Sequence, residues 1–425
     1  MLYERWRQIA RAHQNELALR DAATGQEWSF GQLARVAEQN SPGNTPITFP
    51  QGQGPEFIFT VLQAWRLGQV VCPLEAGQSV PAISGKLPDR IAHLKTTSAT
   101  TQEARLIAFT GEQLASDAEN IVKTMGLRQD WPNLGVLSLA HSYGFSNLVL
   151  PLLLHGIPLI IIGSALPEPI RQVISSIPAL TLPGVPALWK AWCDAKVITP
   201  SIHLAISAGA PLPVQLEQSV FEEHGLKIHN FYGSSECGGI AYDESDEPRS
   251  DGSCAGSALR NVQLSIAENG CLEVRSKAVG ETYWPEMCDN LKDGRFRTSD
   301  LAEILDGVVR LIGRATDQIN VAGRKVSPET IERVLRTHPQ VEDCLVFGVP
   351  SQGAERVEEI AACVVGRAAL SGEGLRQFLL AFLPAWQVPR EWSFVESLSP
   401  NPRGKLSRKE WSTRFRQKNS IESGS

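Results

Sequence analysis

Four short segments carry residue types whose spacing could do chemistry. TTSATTQEAR (96–105) puts five hydroxyl residues in six positions, followed by Glu103 and Arg105. Such loops offer N–H and O–H donors to phosphate oxygens, although a solvated Thr/Ser turn uses the same composition. It lacks the glycines of a GxxxxGK[ST] loop and the helix N-terminus that follows one. In NFYGSSECGGI (230–240), Glu236 stands between Ser235 and Cys237 in a run of small residues. A carboxylate there could hold Mg²⁺ beside a phosphate, or be a surface turn residue. Cys237 has no His or other base beside it, so the pattern argues against a nucleophile. FRTSDLAEILDG (296–307) sets Asp300 after a short strand, where it could accept two ribose hydroxyls or cap a turn. NPRGKLSRKEW (401–411) fixes Lys405 behind Pro402 and Gly404, on a turn or in a basic tail. His141, in LAHSYGFSN, follows an apolar strand and reads more readily as a satisfied core residue than as a catalyst. No HExxH or Ser-His-Asp arrangement is legible.

The elements that must position these segments alternate. WSFGQLARVAEQ (28–39) runs from strand end to helix, and EFIFTVLQAWRLGQVVCPLE (56–75) reads as helix, Gly68 stop and buried strand. LGVLSLA, FSNLVLPLLLHG and PLIIIG read strand, helix, strand, and LTLPGVPALWKAW (180–192) strand, turn, helix. Alternation of this kind predicts an α/β domain with mainly parallel sheets. Past residue 250 the texture becomes β-rich, with turns at Asn269-Gly270, Asp293-Gly294 and Asp306-Gly307. SPETIERVL then opens a smaller α+β unit.

Composition bounds the function classes. The 425 residues are 42% hydrophobic and 20% charged, an ordinary globular balance. A formal net charge of -6 argues against nucleic-acid or anionic-membrane partners. The eight cysteines form no CxxC pair, so neither a disulfide scaffold nor a zinc site is expected. The N-terminus lacks the apolar core of a signal peptide and no uninterrupted span of membrane length is present, which predicts a cytoplasmic chain.

Taken together and in order, the segments resemble the adenylate-forming superfamily: acyl-CoA synthetases, aryl-CoA and acyl-carrier-protein ligases, and peptide-synthetase adenylation domains. TSATTQEAR is similar to that family's phosphate loop, FYGSSE to its YGxTE, and FRTSDL to its YRTGDL. HSYGFSNLVLPLLLHG resembles its pocket helix and ISAGAPL (206–212) its adenine turn. LIGRATDQINVAGRKVSPETIE resembles the hinge, and NPRGKLSR carries the terminal lysine. The likeness covers nearly the whole chain.

The resemblance implies an α/β large N-terminal domain (1–315) with a small β-rich subdomain, and a smaller mobile α+β C-terminal domain (316–425). It implies that Thr97, Ser98, Thr100, Thr101 and Arg105 bind ATP phosphates. Gly209, Ala210, Pro211 and Tyr232 would hold the adenine, and Asp300 with Arg314 the ribose. Glu236 would hold Mg²⁺, Ser235 would contact the α-phosphate, and Lys405 would drive adenylation. His141, Cys237 and Gly238 would border the acyl pocket. CoA or the phosphopantetheine of a carrier protein in trans would accept the acyl group. The loop departs from the family at Ala99, Gln102, Ala104 and Arg105, which predicts slower adenylation. The HSYGF helix and the small Cys237-Gly238-Gly239 run predict a roomy apolar pocket for an aryl or medium-to-long fatty acid. No acidic residue is evident there to pair with an amino group. The alternatives are an acyl-AMP former with an amine or internal hydroxyl acceptor, and a non-catalytic ligand-binding partner subunit.

Overall fold

The computed structural model describes residues 1–39, 45–83, 85, 87–96, 105–321, 323–351, 358–366, 370–398 and 406–422. Thr97, Ser98, Thr100, Thr101 and Lys405 lie outside the described residues. By packing, the chain forms two units. The first comprises Met1–Ser265, Glu273–Thr298 and Ile304–Arg310; the second comprises Ile266–Leu272, Ser299–Glu303 and Leu311–Ser425.

In the first unit, β1 (Ile91–Thr96) and β2 (Leu106–Thr110) pair antiparallel, with Leu94 opposite Ala108 and Lys95 opposite Ile107. Ile91 and Leu94 join an apolar cluster with Val70, Cys72, Leu74 and Leu106. His93 and Lys95, two residues apart, share the strand's other face. β2 runs straight into α1 (Gly111–Met125) through a capping box. The Gln113 N–H donates to Thr110 Oγ1 at 3.3 Å, and the Thr110 N–H donates to Gln113 Oε1 at 2.8 Å. Gly126, at φ 65, ends the helix in the left-handed region that glycine tolerates.

The HSYGF segment forms α2, which starts as Ser142–Gly144, opens into a π turn over Phe145–Val149 and closes as Leu150–His155. At Gly144 a Cβ would lie 2.0 Å from the Ser138 carbonyl oxygen, so only glycine lets the chain approach that closely. Then β3 (Leu180–Gly184), α3 (Pro186–Asp194), β4 (Ile202–Ser207), α4 (Val214–His224) and β5 (Ile228–Ser234) follow as an alternating series. The three strands are parallel neighbours, Leu182 beside Ala205 and Ala205 beside Ile228. The parallel run continues outward through Asn133–Gly135, Leu159–Ile161 and Leu17–Asp21. On the other side β6 (Gly238–Tyr242) turns back antiparallel on β5, and Cys254–Ala258 and Val308–Arg310 extend the ladder. The mainly parallel sheet is thus the one that the strand–helix alternation predicts. Of the LGVLSLA segment only Leu134 and Gly135 are strand.

The DG turns are where the sequence puts them. Lys292 pairs with Arg295 across Asp293 and Gly294, which have φ of 53 and 69. Positive φ at both central residues is the hairpin geometry that Asp-Gly favours.

In the second unit, α5 (Pro328–Leu335) precedes β7 (Val341–Pro350), β8 (Glu358–Gly366) and β9 (Glu391–Phe394). β7 and β8 are antiparallel, and β9 lies parallel to β8. Alternating side chains feed both faces. Val346 and Ile360 pack with Ile331 and Leu335, whereas Leu345 and Phe347 pack with Phe415 of α6 (Arg408–Glu422). No described helix is long and apolar enough to cross a membrane.

Candidate active site

Because β4 and β5 are parallel neighbours, the segments after them emerge at one end of the sheet. In open α/β sheets that end is where ligands sit. The Gly209–Ala210–Pro211 loop follows β4, is exposed, and starts with Gly209 at φ 84. Tyr232 stands half-buried in β5, and residues 235–237 make the tight turn into β6.

That turn is held from inside. Its first anchor is Ser234, whose Oγ accepts the Glu236 N–H at 3.2 Å and lies 3.3 Å from Cys237 Sγ. The Glu236 carbonyl accepts the Gly280 N–H at 2.8 Å. Glu236 Oε1 accepts the Tyr283 hydroxyl at 3.1 Å. Arg105, at the end of the hydroxyl-rich loop, lies over the Tyr283 ring at 5.7 Å. Tyr283 therefore couples the arginine to the carboxylate. Oε2 of Glu236 has no protein donor among the described residues. A single carboxylate with one oxygen fixed and one open fits Mg²⁺, which takes one or two carboxylates and completes its shell with water and phosphate oxygens.

Cys237 is fully buried, and burial pushes its thiol pKa well above the usual range. It is therefore a poor nucleophile, as its sequence neighbours suggest. Gly238 has φ 70, and a Cβ on it would lie 2.0 Å from Asp117 Oδ1. The next N–H, of Gly239, donates to that same oxygen at 3.1 Å. Asp117, a buried carboxylate, thus stands directly behind Gly238. It comes from the buried face of α1, far off in sequence.

Asp117 belongs to a buried polar group. Its Oδ2 accepts the Ser146 hydroxyl at 2.6 Å and lies 4.0 Å from Lys95 Nζ. Lys95 donates to Ser142 Oγ at 3.3 Å and Ser146 Oγ at 3.4 Å. Beside it His93 is fully buried, with the Phe145 ring 4.4 Å away and, among the described residues, no partner for either ring nitrogen. Burial, reinforced by Lys95, holds His93 well below the usual histidine range, so it is neutral. His141 is exposed and its Nε2 lies 3.2 Å from Glu75, so it is not the satisfied core histidine of the simplest reading.

In the second unit, Asp300 Oδ1 accepts from Arg314 Nε at 3.2 Å. The structure thus brings Tyr232, Ser235, Glu236, Cys237 and Gly238 together with Arg105, and Asp300 together with Arg314. Sequence reasoning missed Lys95, Asp117 and Tyr283. The available signals were a lysine inside the apolar run IAHLK and a carboxylate on the apolar stripe of LASDAENIV.

Known proteins match this chain over both units. Residues 78–284 match the family "AMP-binding enzyme" and residues 330–405 the "AMP-binding enzyme C-terminal domain". Triostin synthetase I of Streptomyces triostinicus is 28% identical, over 73% of this chain and 62% of that one. The mitochondrial malonate–CoA ligase ACSF3 of Xenopus laevis is 26% identical, over 77% of this chain and 66% of that one. The chain spans less than two thirds of the length of either relative. Among solved structures, ATP-bound MatB from Rhodopseudomonas palustris aligns with a TM-score of 0.83 at 21% identity, covering 97% of this chain and 99% of that one. The amide bond synthetase McbA from Marinactinospora thermotolerans aligns at 0.82 and 18%, covering 98% and 100%.

Proposed function

The chain belongs to the adenylate-forming superfamily, and on that premise we propose that it joins a carboxylic acid to a thiol through an acyl-AMP. The acid's own carboxylate oxygen attacks the α-phosphorus of ATP, the bond to the bridging oxygen breaks, and pyrophosphate leaves. A thiol then attacks the acyl carbon, AMP departs, and the thiol proton passes to solvent. The carboxylate is already a nucleophile, so the chain needs no activated Ser, Cys or His. Its task is to align two anions and balance the charge that moves to the leaving pyrophosphate.

The observation that carries this reading is the Glu236 turn. It is held by Ser234, Gly280 and Tyr283, linked to Arg105, and set at the strand ends beside the Gly209–Pro211 loop. Glu236 would hold Mg²⁺, which shields phosphate charge when bound. Tyr232 and residues 209–211 would hold the adenine, Asp300 and Arg314 the ribose, and Ser235 the α-phosphate. Thr97, Ser98, Thr100 and Thr101 would cradle the outer phosphates, and Lys405 would bridge the carboxylate and the α-phosphate. CoA or a carrier protein's phosphopantetheine is the acceptor we favour, and we assign the reaction to the cytoplasm. An amine acceptor is the second reading, prompted by the fold shared with an amide bond synthetase.

Acid-dependent ATP–pyrophosphate exchange tests the first step, and product analysis with and without a thiol tests the second. We expect Lys405→Ala to abolish exchange while thioester formation from preformed acyl-AMP continues. Loss of both half-reactions in a folded variant would remove the lysine from its assigned role.

A further inference from the structure

The buried group around Lys95 lies directly behind Gly238 and beside His141, the residues assigned to the acyl pocket. Resting on that assignment, we propose that Lys95, acting through Ser142, selects carboxylic acids that carry a second oxygen acceptor over plain hydrocarbon acids. The acceptor is a ketone, a hydroxyl or a second carboxylate.

An ammonium in a protein interior is costly unless it is paired or used. Lys95 is 5% exposed, and a leucine or methionine would fill the same space between β1, α1 and α2 without that cost. Its nearest carboxylate reaches it only at ion-pair range and does not hydrogen-bond it. Asp117 spends Oδ1 on the Gly239 N–H and Oδ2 on the Ser146 hydroxyl, and so stands 4.0 Å from Nζ. Three ammonium donors meet two hydroxyl oxygens at 3.3 and 3.4 Å, and the charge is also 4.6 Å from the Phe109 ring centre. His93, one step along the same strand face, adds a ring N–H with no acceptor among the described residues. Among the described residues the group therefore holds more donors than acceptors.

Ser142 is where that surplus reaches the outside. Ser146 donates to Asp117, so its hydrogen is committed. Ser142 accepts from Lys95, and its own hydrogen has no acceptor among the described residues. It is also the half-buried member of a set whose other members are buried. A positive charge behind an accepting hydroxyl makes that hydroxyl a stronger donor. An incoming acid with an oxygen at this depth completes the network. A hydrocarbon chain leaves the donors unmet, and sites built this way discriminate strongly. Lys95 is thus a positioning residue and Ser142 the contact.

The test is the exchange assay with matched acids: hexanoate, 3-oxohexanoate, 3-hydroxyhexanoate and adipate, with benzoate and 4-hydroxybenzoate as the aromatic pair. The full-length protein should favour at least one oxygenated acid over its hydrocarbon partner by about tenfold or more in kcat/KM. Which acid wins identifies the acceptor as ketone, hydroxyl or carboxylate. In Lys95→Met and, independently, Ser142→Ala, that ratio should fall to within about threefold of unity while KM for ATP stays constant. Two variants guard against one that fails to fold, and a merely structural lysine would lower every rate without changing the ratio. Equal rates within each pair, or an unchanged ratio in both folded variants, overturns the proposal and leaves adenylation standing. No exchange with any acid would overturn the adenylation reading and this proposal with it.

Discussion

At the scale of single residues, the site is built from contacts that leave no room for substitution. Gly238 combines a left-handed φ of 70 with an Asp117 oxygen 2.0 Å from where a Cβ would sit. Alanine there must both strain the backbone and displace a buried carboxylate that holds the Gly239 N–H. We expect Gly238→Ala to cost about 2–4 kcal/mol and to lower exchange activity beyond what the lost stability explains. Urea unfolding and exchange kinetics on the same preparation measure the two effects, and a variant within about 0.5 kcal/mol of the parent would show that Asp117 can yield. The sequence made the glycine visible but not its reason. A small residue after Glu236 is legible in ECGGI, whereas Asp117 reaches it only through folding, from a helix more than a hundred positions earlier. Tyr283 escaped notice for the same cause: nothing in ETYWPE says that its hydroxyl will meet Glu236.

At the scale of elements, the frame was legible because it is local. Hydrophobic period, Gly stops and Asp-Gly turns are read within a dozen residues, and they mark the helices Phe30–Gln39, Pro55–Arg66 and Pro186–Asp194 and the Lys292–Arg295 hairpin. What joins the elements is not local. Glu217, fully buried in α4, accepts from Lys227 and from both the backbone N–H and Nε of Arg249 at 2.9 Å. Lys227 in turn donates to Asp243 at 2.7 Å. This network pins α4 to the segments flanking β5 and β6, and so fixes the strand that ends in the Glu236 turn. Removing Glu217 leaves the buried Arg249 without its carboxylate and Lys227 with Asp243 alone, so Glu217→Ala should cost about 3–5 kcal/mol. Acid should strike here as well. Burial pushes the Asp243 carboxyl upward, but hydrogen bonds from Lys227 and Ser245 outweigh it and leave its pKa below the ordinary value. A carboxyl depressed in the folded state contributes stability above its unfolded pKa of about 3.9. That contribution is lost as pH falls through the folded value. Urea midpoints from pH 7 down to about 3 should drop in the acid range, and Asp243→Asn should flatten that limb of the curve. Parallel acid limbs in parent and variant would exonerate this carboxylate.

At the scale of the whole molecule, the chain does not divide at a single point. The hinge-like GRATDQ segment suggests one boundary at 315/316. Packing instead gives the second unit Ile266–Leu272 and Ser299–Glu303 before the chain enters it for good at Leu311. Composition reports where a chain is polar and turn-prone; it does not report which distant strand a short segment will pack against. The consequence falls on Asp300, which sits in Ser299–Glu303 and is tied to Arg314. A chain ending at 315 keeps both residues yet loses nearly all of the unit that surrounds them. If Asp300 holds the ribose, that truncation should weaken ATP binding by about tenfold or more, the worth of one charge-assisted hydrogen-bond pair. The right comparison is full-length Lys405→Ala, which also lacks the lysine but keeps the second unit whole. Titration calorimetry with ATP on both proteins, with circular dichroism to verify that the parallel sheet survives truncation, separates the two losses. Equal affinities would mean that residues 1–315 hold Asp300 in place unaided. The ribose site would then owe nothing to the packing that draws this strand into the second unit.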